Sequence, residues 1–220
     1  MLQTIRDKIT GIIAIVFLAY SLAGPWMPSL LAHRGVSLHA LANHQWITTE
    51  GVFGIALGVS TSFVFLFVLF GALLERAGAG HYFIQLAFSL LGHLRGGPAK
   101  AAVVASALTG VISGSSIANV VTTGTFTIPM MKRVGFSKEK AGAVEVASSV
   151  NGQIMPPVMG AAAFLMAEFI GVPYIEIAKA ATIPACLYFV GVFIEVHFEA
   201  KRHNLAGVPA SELPRFGDVM

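Results

Sequence analysis

The chain has 220 residues, of which 55% are hydrophobic and 11% charged, with a formal net charge of +3 and a mean hydropathy of +0.76. A soluble domain carries roughly a quarter charged residues, so this composition excludes a water-soluble globular protein and calls for a bilayer to cover the apolar surface. The basic residues sit at the ends of apolar runs, which excludes a nucleic-acid-binding face, and the single Cys186 excludes an intrachain disulfide.

In chain order, residues 1–36 read as a first span and outer loop. The apolar run Ile9 to Leu31 is long enough to cross, with Pro25 and Pro28 near its outer end, where a lost backbone bond costs least. Arg6 and Lys8 before it and Ser21-Leu22-Ala23 within it also fit a cleaved signal peptide, but the run continues through Trp26 and the downstream sequence is equally apolar, which favours a retained span.

Residues 37–98 hold three elements. Ser37 to Glu50 mixes Leu38, Leu41 and Trp46 with His39, Asn43, His44 and Gln45, the pattern of a short interfacial helix. Gly51 to Leu74 is a second span, and His81 to Leu94, about 14 residues, is too short to cross comfortably.

In residues 99–133, Ala99 to Met131 is apolar enough for one long span, but its middle reads Ile112-Ser113-Gly114-Ser115-Ser116-Ile117-Ala118-Asn119, a cluster that breaks helices. A re-entrant helical hairpin fits this pattern better than one span, with arms of about 13 residues reaching roughly 20 Å into the bilayer. Residues 134–199 give a crossing, Lys138 to Ile170, broken at Asn151-Gly152-Gln153-Ile154-Met155-Pro156-Pro157, and a last span, Ala180 to Val196. Residues 200–220 are expected as a cytoplasmic tail. The fold class is all-α integral membrane, with several spans, a re-entrant hairpin and a broken helix.

The layout assigns a side to every loop. With the amino terminus in the cytoplasm, Arg6, Lys8, Arg76, Arg95, Lys100, Lys132, Arg133, Lys138, Lys140, Lys201, Arg202 and Arg215 lie inside and Arg34 and Lys179 outside, as the positive-inside rule demands. Making residues 99–133 a full crossing would move the basic cluster after Met131 outside, so the charge bias supports the hairpin.

Non-helical backbone at membrane depth survives only where protein buries it or a cavity wets it, so two neighbouring breaks mark a site. At the hairpin tip the first arm ends in free carbonyls and the second begins with free N–H groups; carbonyls suit a cation and amides a carboxylate. Ser113, Ser115, Ser116 and Asn119 add oxygens there or simply cap the helix. Thr122, Thr123, Thr125 and Thr127 follow, lining the site or bonding back to preceding carbonyls. At the second break Pro156 and Pro157 lack N–H groups, which would free the carbonyls of Gly152 and Gln153 as cation ligands, and Pro157 suits the first position of a second half-helix. Paired half-helices hold ions and anionic substrates together in secondary transporters, and neutral oxygens without a carboxylate cluster favour sodium.

The stretches GGPAKAAVVASALTG, SGSSIANVVTTGTFTIPMMKRVGF and AGAVEVASSVNGQIMPPVMGAAAFLMAEFIGVPY occur in this order between Gly92 and Asn204. They resemble the large membrane subunit of the tripartite ATP-independent periplasmic (TRAP) transporters, in particular the fused-permease type associated with a TAXI-class binding protein. TTEGVFGIALGVSTSFVFLFVLFGALLERAGAG is similar to the same family, so the resemblance covers roughly Ser37 to Asn204. It implies an elevator-type carrier of the bacterial inner membrane. Such a carrier uses no cofactor beyond sodium as coupling ion, takes an organic acid from a periplasmic binding protein, and works with a small membrane subunit or its fused equivalent. On this resemblance the cation site is Ser113, Gly114, Ser115, Gly152, Gln153 and Pro156, and the substrate site is Ser116, Asn119, Thr122, Thr123 and Asn151. The family commonly has Gly where this chain has Asn151, whose side chain either crowds the ion loop or adds a ligand. The family also builds its site from two inverted repeats, and no second SGSS-like tip or Pro-Pro break follows Val196, so the chain is expected to hold one half.

Glu145 lies inside an apolar stretch, where an ionisable group is costly unless paired or hydrated; coupling and pairing roles both fit. Glu168 and Glu195 read as interfacial, and the seven histidines lack metal-ligand spacing, so no transition-metal site is expected. Two other functions stay open at this stage. One is a non-transporting scaffold or assembly subunit; the other is an intramembrane serine hydrolase using Ser115, which needs a base that neither His93 nor His197 is placed to supply.

Overall fold

Long apolar stretches with few charges fold as helices in lipid because only a helix satisfies its own backbone there. The computed structural model describes residues 2–219; Met1 and Met220, the outer ends of the first and last expected segments, lie outside the described residues. Among the described residues all regular structure is helical, as the composition requires. The chain divides into two compact units, Met1–Gly58 and Val59–Met220.

In the first unit, α1 spans Leu2–Ala23 and passes into a tight turn at Gly24–Trp26. The span expected to reach Leu31 therefore stops at Trp26. Pro25 and Pro28 are the physical reason, because proline cannot donate to a continuing helix. The chain then folds back onto the helix end. His33 Nε2 lies 3.0 Å from the Tyr20 carbonyl, its Nδ1 accepts the Gly35 N–H at 3.1 Å, and its ring centroid is 4.6 Å from that of Tyr20. An Nδ1 that accepts leaves the proton on Nε2, which then donates to Tyr20. Helix α2, Leu38–Trp46, starts at the Ser37 cap, whose hydroxyl accepts from the Ala40 N–H at 3.2 Å, and none of its residues is buried.

A helical run from Ile55 to Arg76 follows, made of α3 (Ile55–Val59), a π turn (Ser60–Val64) and α4 (Phe65–Arg76). The second unit continues with α5 (Ala79–Leu91), α6 (Gly97–Ser113), α7 (Ser116–Arg133), α8 (Lys138–Val150), a 3₁₀ turn (Asn151–Ile154), α9 (Ala161–Ile170), α10 (Tyr174–Arg202) and α11 (Phe216–Val219). Among the described residues three helices are long and apolar enough to cross a membrane: Lys8–Trp26, Ile55–Arg76 and Tyr174–Arg202. Their large apolar side chains stand exposed, among them Phe17, Leu66 and Leu187, which is the surface that lipid tails cover.

The centre of the second unit is α6. On one side its Ala101 and Ala105 pack against Ile84, Ala87 and Phe88 of α5. On the other, Ala99, Ala102 and Val103 pack with Met131, Phe136, Ala141, Phe189 and Val196 of the surrounding elements. Lipid tails are as apolar as leucine, so association inside a bilayer rests on close van der Waals contact between small residues. An alanine-rich helix satisfies that need by letting neighbouring backbones approach on every side.

Two expectations about the carboxyl-terminal part change. The last helix spans 29 residues rather than Ala180 to Val196. Its first turns carry Glu176 and Lys179, whose charges argue against a span but pair at 2.8 Å on the exposed helix surface. The tail is not simply a loop. Val208 is buried and its N–H donates to the Gly92 carbonyl at 2.9 Å, and Arg133 pairs with Glu212 at 2.8 Å before α11 forms.

Candidate functional site

The tip between α6 and α7 is a two-residue connection. Gly114 turns the chain in the left-handed region, φ 58° and ψ 6°, and a β-carbon there would lie 2.0 Å from the Met159 carbonyl oxygen. Only glycine meets both conditions. Ser115 then caps α7, its hydroxyl accepting from the Ala118 N–H at 3.3 Å, while Ser113 Oγ accepts from the Ser115 N–H at 3.4 Å. The serines thus act as caps, and the first-turn N–H groups of Ser116 and Ile117 are left facing outward from the helix start.

The broken helix lies against this tip. A β-carbon on Gly110 would come within 2.7 Å of Gly152 Cα, so α6 and the 3₁₀ turn touch backbone to backbone. Gln153 Nε2 donates to Ser116 Oγ at 2.7 Å, joining the loop to the start of α7. Asn119 is fully buried beside Gly152; its Nδ2 donates to the Ser106 carbonyl at 2.9 Å, which fixes the amide orientation, and its Oδ1 has no partner among the described residues. A buried amide oxygen without a partner costs about 1–3 kcal/mol, and a bound cation is one means of meeting that cost.

Two expectations about the second break need correction. The carbonyls of Gly152 and Gln153 do lose their helical partners, but they are not free. Gly152 O accepts the Met155 N–H at 3.4 Å and Gln153 O accepts the Gly160 N–H at 2.6 Å. Each retains one lone pair, so a cation would share them with the backbone. Pro157 does not begin the second half-helix. The Pro156–Pro157 bond is cis, both residues belong to the loop, and α9 starts at Ala161 after the cap residue Gly160.

The predicted substrate residues face different neighbours. Ser116 and Asn119 face the broken helix. Thr122 donates to Glu75 Oε1 of α4 at 2.8 Å, beside a cavity of about 120 Å³ also lined by Gly80, Thr109, Ile112 and Ser113. Thr123 turns toward Glu145 on α8, and the Asn151 amide donates to the Ala185 carbonyl of α10 at 3.1 Å. The structure therefore brings together Ser113, Gly114, Ser115, Ser116, Asn119, Gly152 and Gln153, and directs Thr122, Thr123 and Asn151 to separate packing partners.

Tyr174 was not singled out by sequence reasoning. Its hydroxyl lies 2.7 Å from the Pro157 carbonyl and 2.8 Å from that of Val158, and its ring stacks on Phe164 with centroids 4.3 Å apart and planes 2° from parallel. It ties the start of α10 to the loop after the break. The only sequence signal was a tyrosine after Pro173, at the end of a segment that carries the family resemblance. Thr109, whose buried hydroxyl has no partner among the described residues, was missed for the same reason: one threonine in an apolar helix carries no visible signal.

A helical hairpin packed against an interrupted helix, with neutral oxygens at the joint, makes this a helical membrane protein with the kind of broken elements that secondary transporters pair. The description of the tripartite ATP-independent periplasmic transporter, DctM component, matches residues 9–220, and the chain belongs to that family. It is 37% identical over 91 residues to the C4-dicarboxylate TRAP transporter large permease protein DctM of Rhodobacter capsulatus, covering 41% of this chain and 21% of that protein. Identity to the protein of the same name from Vibrio cholerae serotype O1 is 28% over 180 residues, or 82% of this chain and 38% of the relative. The sialic acid TRAP transporter large permease protein SiaM of the same organism is 27% identical over 143 residues, 65% and 33% respectively. The chain thus spans between about a fifth and two fifths of the length of these relatives. Membership in a transporter family sets aside the serine-hydrolase reading of Ser115, whose hydroxyl serves as the cap of α7.

Proposed function

We propose that this chain forms part of a sodium-coupled secondary transporter subunit that takes up an organic acid delivered by a periplasmic binding protein. The subunit would work in the bacterial inner membrane, amino terminus inside, with a small membrane subunit or its fused equivalent and with a second repeat completing the site. The fused-permease, TAXI-associated type is our reading of the segments between Gly92 and Asn204.

The observation that carries the sodium reading, and moves Asn119 from the expected substrate residues to the cation ligands, is its buried Oδ1, without a partner among the described residues, at the joint between hairpin and broken helix. The oxygens around that joint are neutral, from Ser113, Gly114, Ser115, Gly152 and Gln153. Among the described residues no cluster of three or more His, Cys, Asp or Glu side chains stands ready for a metal of higher charge. Hydroxyl, amide and carbonyl oxygens suit a hard cation of low charge. The outward N–H groups at the start of α7, with the positive end of its dipole, suit a carboxylate. The names of the relatives, which specify C4-dicarboxylate and sialic acid, support an anionic organic acid as the cargo class.

The test is uptake of labelled C4-dicarboxylate or sialic acid into proteoliposomes containing the complete membrane subunit and its binding protein, with and without an inward sodium gradient. Sodium-dependent uptake that disappears in Ser115→Ala and Gly152→Val is the expected result. Uptake indifferent to sodium and to both substitutions refutes the proposal.

A further inference from the structure

Away from the tip, α7 and α8 are joined by a closed polar cluster. Glu145 is fully buried. Its Oε1 faces the hydroxyls of Thr123 and, at 3.2 Å, Ser149, and its Oε2 faces that of Thr127. Ser106 of α6 completes the cluster, with its hydroxyl 3.4 Å from Thr123 Oγ1 and 3.5 Å from Ser149 Oγ.

A proton count shows what is missing. Thr127 has one hydroxyl hydrogen but faces two acceptors, Glu145 Oε2 and, at 2.9 Å, the Thr123 carbonyl. Thr123 likewise faces Glu145 Oε1 and, at 2.8 Å, the Asn119 carbonyl. Neither a carbonyl nor an ionised carboxylate can donate, so with a charged Glu145 each threonine leaves one close oxygen contact without a hydrogen. One proton on Oε2 resolves the count at Thr127: the acid donates to Thr127 Oγ1, and Thr127 donates to the Thr123 carbonyl. Thr123 stays one hydrogen short, its single hydroxyl proton going to Oε1 or to the Asn119 carbonyl, while Ser149 also donates to Oε1.

Among the described residues no cation lies within ion-pair distance of Glu145 to replace that proton. The ion pairs among the described residues join other groups: Arg133 with Glu212, Lys140 and His203 with Glu199, Lys179 with Glu176, and His44 with Glu50. On the elements packed around Glu145, Lys132 and Arg133 end α7, Lys138, Glu139 and Lys140 open α8, and Tyr188 of α10 donates to the Ala147 carbonyl at 3.0 Å. The Lys100 ammonium of α6 lies 5.7 Å from the centre of the Phe193 ring. An unpaired charge buried in a membrane protein is the costly alternative.

We propose that Glu145 is a proton-binding site: a neutral carboxylic acid whose O–H locks the second arm of the hairpin to α8, so that the cluster holds a proton and no net charge. It acts as a positioning residue, since Thr123 bonds back to Asn119, and the proposal stands apart from the sodium reading of the tip.

The test is infrared spectroscopy of the purified protein in detergent near neutral pH, with carbon-13 labelling of glutamate and transfer to heavy water. The wild type is expected to show the carbonyl stretch of a protonated acid that shifts with label and with deuterium. That band disappears in Glu145→Gln, whose amide N–H replaces the acid donor and keeps the melting temperature close to wild type. Should the glutamine variant fail to fold, Ser149→Ala, which removes a single donor to Oε1, still moves the band. Absence of the band in the wild type overturns the proposal. So does a labelled carboxylate band at Glu145 that moves on adding sodium, which would make the cluster a metal-cation site.

Discussion

Replacing Asn119 by leucine separates a cation ligand from a packing residue by the sign of its effect. The substitution removes the Nδ2 hydrogen bond to the Ser106 carbonyl, 2.9 Å long, at a cost of about 1 kcal/mol. It also removes a buried oxygen that has no partner among the described residues, relieving about 1–3 kcal/mol. In sodium-free buffer the variant should therefore melt at or above the wild type. Sodium at 100 times its dissociation constant stabilises a protein that binds it only when folded by about 2.7 kcal/mol, which for a chain of this size raises the melting temperature by roughly 5–11 °C. The leucine variant lacks the ligand and should not respond, so the order of the two melting curves reverses as sodium is added. Scanning fluorimetry in detergent, with choline replacing sodium at constant ionic strength, reads both conditions. A sodium-induced rise of equal size in both proteins refutes Asn119 as a ligand, and the absence of a rise in either refutes the site.

Other outcomes follow from individual contacts. Gly114→Ala combines the left-handed φ of 58° with a β-carbon 2.0 Å from the Met159 carbonyl oxygen; the backbone strain alone costs about 1–3 kcal/mol, and a melting temperature unchanged from wild type would refute the tip geometry. Tyr174→Phe keeps the stack on Phe164 but loses the hydroxyl shared between Pro157 and Val158, a loss of about 1 kcal/mol. It should raise amide exchange at Val158, Met159 and Gly160 more than in α6. Ser137→Ala removes the cap accepting the Lys140 N–H at 3.3 Å and should cost about 0.5–2 kcal/mol, read as a drop in melting temperature that Ser137→Asp restores.

Much of this architecture is legible in the sequence because lipid imposes few solutions. The SGSS cluster between two apolar arms marks the turn that joins α6 to α7. The interruption at Asn151 to Pro157 is equally visible, since proline removes donors wherever it occurs. What escaped was the choice of partner. Whether the Gly152 and Gln153 carbonyls find other donors depends on how the loop closes onto Met155 and Gly160, and no local rule dictates that. Thr122 and Thr123 follow the tip closely in sequence and Asn151 adjoins Gly152, yet the local backbone turns them toward α4, α8 and α10. Glu145 shows the intermediate case: its helical neighbour Ser149 was within reach of pattern reasoning, whereas Thr123 and Thr127 meet it only after the hairpin packs.

The small-residue character of α6 also bears on how such a chain can drift in sequence. At Ala99, Ala101, Ala102 and Ala105 no side-chain surface remains exposed, so a larger side chain has nowhere to go and a smaller one leaves only glycine, which weakens the helix by about 1 kcal/mol. On the exposed faces of α4 and α10, exchange among leucine, isoleucine, valine and phenylalanine alters little, because fluid lipid adapts to any of them. Within the second unit, neutral change is therefore channelled to the lipid-facing side chains, and α6 should be its slowest-changing helix even at positions away from the hairpin tip.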